Sequence, residues 1–70
     1  MKITYDKEAD ALYIRFREGK FDHNDEPAEG IILDIDPRGE VLGIEILDVS
    51  RRTSLRELFD INISMPVGAR

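Results

Sequence analysis

The sequence predicts a small α+β domain: an antiparallel β-meander of four strands, with room for a short fifth, and one C-terminal amphipathic helix packed on one face. Three observations carry that expectation. Apolar and polar residues alternate with period two over residues 2–6, 11–17 and 31–47, the pattern of half-buried strands. The tetrapeptide Asp36-Pro37-Arg38-Gly39 interrupts the longest of these runs with turn chemistry. Beyond Ser50 the spacing changes, and Leu55, Leu58 and Phe59 fall on one side of a helix. Seventy residues make a single domain, 1–70. A chain of this length buries only ~60% of the surface its unfolded form exposes. With no cysteine to form a disulfide or thiolate metal site, packing or self-association is the expected supplement.

The elements follow in order. In residues 2–6, Ile3 and Tyr5 point one way and Lys2, Thr4 and Asp6 the other. Residues 6–10 form a polar break with good turn chemistry. In residues 11–17, Leu12, Ile14 and Phe16 oppose Tyr13, Arg15 and Arg17, so the two runs read as a first hairpin. Residues 18–29 have no period, carry many charges and contain Gly19, Asn24 and Pro27. They read as a surface loop that Phe21 tacks to the core.

The second hairpin spans residues 31–47. A three-residue loop with Gly39 as a bulge sets Ile35 opposite Val41 and Leu33 opposite Gly43. A four-residue loop, Asp36 to Gly39, sets Ile35 opposite Glu40. The second register is preferred because it separates the faces more cleanly. It gathers Ile31, Leu33, Ile35, Leu42, Ile44 and Ile46 on one face and leaves Ile32, Asp34, Val41, Gly43 and Glu45 on the other. In both registers Pro37 presets the turn and Gly39 accepts φ > 0. Ser54-Leu55-Arg56-Glu57 fits a capping box, and the helix could start as early as Arg51 with Ser50 as its cap. Ile61, Ile63 and Met65 then alternate up to Pro66, the basis for a short fifth strand.

Fifteen acidic against ten basic side chains give a formal charge of −5. Such a domain is repelled by nucleic-acid phosphates and anionic membranes and drawn to a basic partner. No apolar run is long enough to span a membrane, and residues 1–5 lack a signal-peptide apolar region, so a cytoplasmic protein is expected.

Asp34-x-Asp36-x-Arg38-Gly39-x-Val41-x-x-x-Glu45 resembles a calcium-binding EF-hand loop at positions 1, 3, 6, 8 and 12. Arg38 puts a cation where an oxygen ligand belongs, and the flanks are alternating runs where an EF-hand has helices. The hairpin is the better reading, with Asp34 and Glu45 several rows from convergence. The cluster from Asp22 to Glu26 has ligand-type side chains on a loop that nothing preorganises. His23 has no nucleophile or orienting acid at motif spacing. Asp34, Glu45 and Asp48 could pair as carboxylates for acid–base chemistry, but that requires a deep cleft. Arg51, Arg52 and Arg56 fit helix-surface ion pairs better than a nucleic-acid reader. Tyr5 and Tyr13 suit cross-strand packing. Ile32 and Val41, with Tyr13, would sit better against a second subunit than in water, and a buried Glu45 would need a partner such as Arg15 or Arg17.

Residues 1–6 and 9–14, MKITYD and ADALYI, together with Asp34 through Ser50, including GIEILD and Ser50, resemble the bacterial and archaeal domain of unknown function numbered 2283. The likeness covers roughly residues 1–50, and the 18–29 segment departs from the family's pattern. The resemblance implies a small stand-alone β-sheet protein. It also implies an antitoxin-like role, since members are sometimes encoded beside a small toxin-like partner.

The reading is therefore a non-enzymatic interaction module, a homodimer or the partner of a small basic protein, with no catalytic residue, cofactor or metal. Candidate functional or interface residues are Asp34, Glu45, Asp48, Tyr13, Ile32 and Val41, and Asp36, Pro37 and Gly39 build the turn. The alternative is a small ligand- or metal-dependent enzyme with a carboxylate site at a dimer interface.

Overall fold

The structure, a computed structural model, describes residues 1–68. Five strands form one antiparallel sheet: β1 (Lys2–Asp6), β2 (Ala11–Arg15), β3 (His23–Ala28), β4 (Ile31–Ile35) and β5 (Val41–Leu47). Two single-turn helices follow, α1 (Val49–Arg52) and α2 (Leu55–Leu58). The strand order is β1-β2-β5-β4-β3, so the α+β class holds while the four-strand meander does not. The segment after β2 crosses to the far edge, and the chain returns strand by strand until β5 pairs with β2 at the centre.

The fifth strand lies where a loop was expected. β3 is the sequence His-Asn-Asp-Glu-Pro-Ala, and all six residues are exposed. An edge strand with no buried side needs no apolar alternation, so period counting misses it. Its charges, and Pro27 within an irregularity between Asp25 and Ala28, are also what keeps an edge from pairing with a stray strand. Residues 61–66, the expected short fifth strand, carry no strand pairing. Phe21 remains 53% exposed and does not fasten its segment to a core.

The second hairpin follows the three-residue loop at its turn, and beyond the turn its pairing differs from both anticipated registers. At the turn, the Gly39 N–H donates to the Asp36 carbonyl at 2.9 Å, and the Asp36 N–H donates to the Glu40 carbonyl at 2.9 Å. Gly39 has φ +86. This three-residue loop sets Ile35 opposite Val41, which corrects the preferred pairing with Glu40. The register then shifts between Ile35 and Asp34, so Asp34 pairs with Gly43, Leu33 with Ile44, Ile32 with Glu45 and Ile31 with Ile46. Leu42 is the extra residue. Its carbonyl accepts the N–H groups of Phe16 and Arg17 at 2.8 and 3.4 Å, and its side chain is 2% exposed. Turn chemistry demands one register and face segregation another, and a β-bulge satisfies both.

The expected single helix is two. Ser54 caps α2 through its hydroxyl, which accepts the Glu57 N–H at 3.2 Å. An N-cap residue is not helical, and Ser54 is extended, as is Thr53. A helix that begins at Val49 must therefore stop before Ser54. Leu58 is buried, whereas Leu55 is 42% and Phe59 71% exposed. Phe59 meets the edge of the Tyr5 ring, with centroids 6.1 Å apart.

Burial is thin. Among the described residues, Ala11, Ile35, Leu42, Val49 and Leu58 form the apolar core, and no large side chain is completely buried. The pairings place Ile3, Tyr5, Leu12, Ile14, Ile31, Leu33, Ile44 and Ile46 on one face of the sheet. Ile3 is exposed and the other seven are only half-buried. Domains normally bury such a face under a second layer.

Candidate functional site

The opposite face carries the polar constellation. Tyr13 on β2 pairs with Glu45 on β5, which pairs with Ile32 on β4. One row along, Arg15 pairs with Gly43, Gly43 with Asp34, and Asp34 with Asn24 on β3. The sheet register alone thus brings Tyr13, Ile32, Asp34 and Glu45 together.

The Tyr13 hydroxyl donates to Asp34 Oδ2 at 2.7 Å. Asn24 Nδ2 donates to Asp34 Oδ1 at 2.6 Å. The Arg15 guanidinium lies 5.2 Å from the centre of the Tyr13 ring, within cation–π range. Gly43 makes this possible: a Cβ there would collide with the Tyr13 phenol and sit 2.8 Å from the Ile14 carbonyl oxygen. Burial, followed by the Asp34 hydrogen bond, raises the Tyr13 phenol above its ordinary pKa, so it serves as a neutral donor.

Glu45 is half-buried between Tyr13 and Ile32. The anticipated arginine partners are committed elsewhere. Arg17 bonds Asp36 at 3.1 Å and Glu40 at 2.6 Å, and Arg15 approaches Glu18 at 3.8 Å. Asp34 and Glu45 are diagonal neighbours on one face, closer than the several rows expected. Asp48 does not join them. It lies past the end of β5, exposed, with φ 54 and no side-chain cap bond. Val41 faces Ile35 across the bulge, away from its expected companions.

Two further carboxylates close opposite ends of the sheet. Asp36, 5% exposed, accepts the N–H groups of Arg38 and Glu40, both at 2.9 Å, on Oδ1. These bonds, led by that of Glu40 and joined by the Arg17 and Arg38 charges, hold its carboxyl below the usual range against the opposing effect of burial. At the other end Asp10, with φ 53, accepts the Ser50 hydroxyl at 2.6 Å, the Ser50 N–H at 3.1 Å and the Tyr5 hydroxyl at 2.7 Å. The Ser50 hydroxyl bond contributes most to lowering the Asp10 carboxyl, with the Tyr5 bond next. The Asp10 bond leads in raising the Tyr5 phenol.

This hub joins two segments forty residues apart. In the sequence, residues 6–10 read as a plain turn and Ser50 as a helix cap, since neither spacing nor period announces a contact at that separation. Arg52 likewise bonds carbonyl oxygens, those of Leu47 at 2.9 Å and Glu29 at 3.0 Å, in place of the anticipated acids.

Chemically, the constellation orders hydrogen bonds. Both Asp34 oxygens are occupied, and the His23 ring contacts only its neighbour Asp22, at 2.6 Å. Among the described residues, no three His, Cys, Asp or Glu side chains converge as a metal site would require. Nor is any helix among them long and apolar enough to cross a membrane.

A family model described as a protein of unknown function, DUF2283, matches residues 2–50. That span covers the whole sheet and reaches both partners of the Asp10–Ser50 hub. No curated protein and no solved structure matches the chain.

Proposed function

The chain belongs to the DUF2283 family of proteins of unknown function, and we propose that it is a non-enzymatic cytoplasmic interaction module that works as a homodimer. The observation that carries this reading is the uncovered apolar face. The chain exposes 5724 Å², whereas a compact monomer of 8.0 kDa exposes about 4,450 Å². The excess is on the order of 1,000 Å², shared between that face and the exposed residues 61–67, and is similar to the ≈ 800 Å² that each partner contributes to a standard protein interface. The radius of gyration of 13.8 Å likewise exceeds the roughly 11 Å of a compact domain of this length. Ile14, Ile44 and Leu33, on three adjacent strands, offer a contiguous apolar surface that a second copy would remove from water. Sedimentation equilibrium of the intact chain tests the reading, and a mass that stays at 8.0 kDa as concentration rises would refute it.

A second reading, the partner of a small basic protein, draws support from Asp22, Asp25, Glu26 and Glu29 along the β3 edge. Co-purification of such a protein in a stable complex would sustain it. The carboxylate-enzyme alternative has less support, because Asp34 is saturated by Tyr13 and Asn24.

A further inference from the structure

Beyond Phe59 the chain does something the sheet does not explain. Ile61, Ile63, Met65 and Val67 are 54, 83, 86 and 106% exposed. In extended chain, alternate residues project to one side, which sets Ile61, Ile63 and Met65 in one apolar stripe, with Asn62 and Ser64 opposite, before the turn at Val67 and Gly68. Three such side chains in succession are costly to leave in water. The same chain also carries an apolar sheet face without a second layer. Phe59 contacts Tyr5 of that face, which fixes where the arm departs.

We propose that residues 61–67 form an exchanged arm that lies across the apolar face of a second copy of this chain, over Ile14, Leu33 and Ile44. The proposal rests on the homodimer reading and specifies what seals its interface. Three physical points support it. The first is reach: six residue steps from Phe59 to Met65 extend about 20 Å at ~3.3 Å each, and the five-stranded sheet is about 19 Å wide at ~4.8 Å per spacing. The second is chemical match. An aliphatic stripe of period two meets a face built mainly of isoleucine and leucine, where the charge in the Ile14–Ile44–Leu33 row is Asp25 on the edge strand β3. The third is symmetry. A two-fold exchange buries both surplus surfaces twice with one set of contacts, whereas the arm stands clear of its own sheet.

The cysteine-free sequence permits a direct test in the full-length chain. Ile63→Cys in one preparation is mixed with Ile14→Cys, of distinguishable mass, in another and oxidised. The expected result is a mixed disulfide joining the two species, and its absence from a dimeric mixture would place the arm elsewhere. The variant Ile63→Asp with Met65→Asp changes only exposed side chains, so its fold is expected to survive, as circular dichroism can show. Its dimerisation should weaken at least a hundredfold, since the two-fold exchange loses four large apolar contacts. A dimer of unchanged affinity would overturn the arm while leaving the homodimer standing. A wild-type chain that stays monomeric would overturn both. An intramolecular disulfide in the Ile14→Cys, Ile63→Cys double variant, formed by a monomer, would show the arm folding back on its own sheet and would also overturn the exchange.

Discussion

The two faces of the sheet are made by the same strands, yet the chain finishes only one of them. On the polar face, Tyr13 reaches over Gly43 to Asp34, Asn24 completes the carboxylate, and Arg15 covers the tyrosine ring. On the apolar face, seven large side chains from Tyr5 to Ile46 stay half-buried and Ile3 is 39% exposed. Polar groups can be satisfied by single neighbours along the pleat, because a hydrogen bond needs only one partner at the right distance. Apolar burial scales with area, and the described residues, five strands and two helical turns, lay no full second layer over that face. Within the described residues the apolar face lacks the second layer that the proposed second copy would supply.

Substitutions that touch one face and not the other should separate these roles. The largest expected effect is on association. Ile14→Asp or Leu33→Asp places a charge on the apolar face and should weaken dimerisation a hundredfold or more, given the cost of burying an unpaired charge. Glu45→Gln and Asp34→Asn on the polar face should leave the sedimenting mass unchanged. Equal losses from both pairs would erase the distinction.

Next in size is a change to folding stability. Gly43→Ala pushes a Cβ against the Tyr13 phenol and the Ile14 carbonyl, and should cost about 1–3 kcal/mol by overpacking. Because the carbonyl belongs to the backbone, shortening Tyr13 as well should restore only part of the loss in urea denaturation. Gly39→Ala meets open space but must hold φ +86. It should cost roughly 1 kcal/mol, about 4–8 °C in melting temperature for a domain of this size.

Acid should act through the ends of the sheet before its faces. Asp10 and Asp36 have folded pKa values below their unfolded ones. Their contributions are fully present above the ordinary carboxylate value near 3.9 and fade as pH falls through the folded values. Melting temperature should therefore drop below about pH 4, and Asp10→Asn should flatten that drop; an unaltered profile would remove Asp10 from the account. The smallest expected effect is that of calcium. A ligand at 100 times its Kd would add ≈ 2.7 kcal/mol, and the hairpin that mimics a calcium loop should show no such shift.

What could be read in advance follows from what each element buries. β2, β4 and β5 each carry a half-buried side, and β1 alternates in the same way although only Tyr5 in it is half-buried, so period two reveals all four. β3 buries nothing, and its sequence carries only the marks of edge protection. The turn around Asp36 was legible because Pro37 and Gly39 restrict the backbone locally. The bulge at Leu42 was not, since it settles a conflict between that turn and strands on either side of it. Tyr13, Asp34, Glu45 and Ile32 share a face, as alternation implies, whereas Asp48 and Val41 leave it. Asp10 and Ser50 meet only through the three-dimensional course of the chain, and Asn24 joins Asp34 only because β3 is a strand.

The central claim is that the apolar face is closed by a second copy of the chain. Sedimentation equilibrium of the intact protein at high micromolar concentration tests it most directly. A mass of twice 8.0 kDa is the predicted result, and a single species at 8.0 kDa across the concentration range would contradict it.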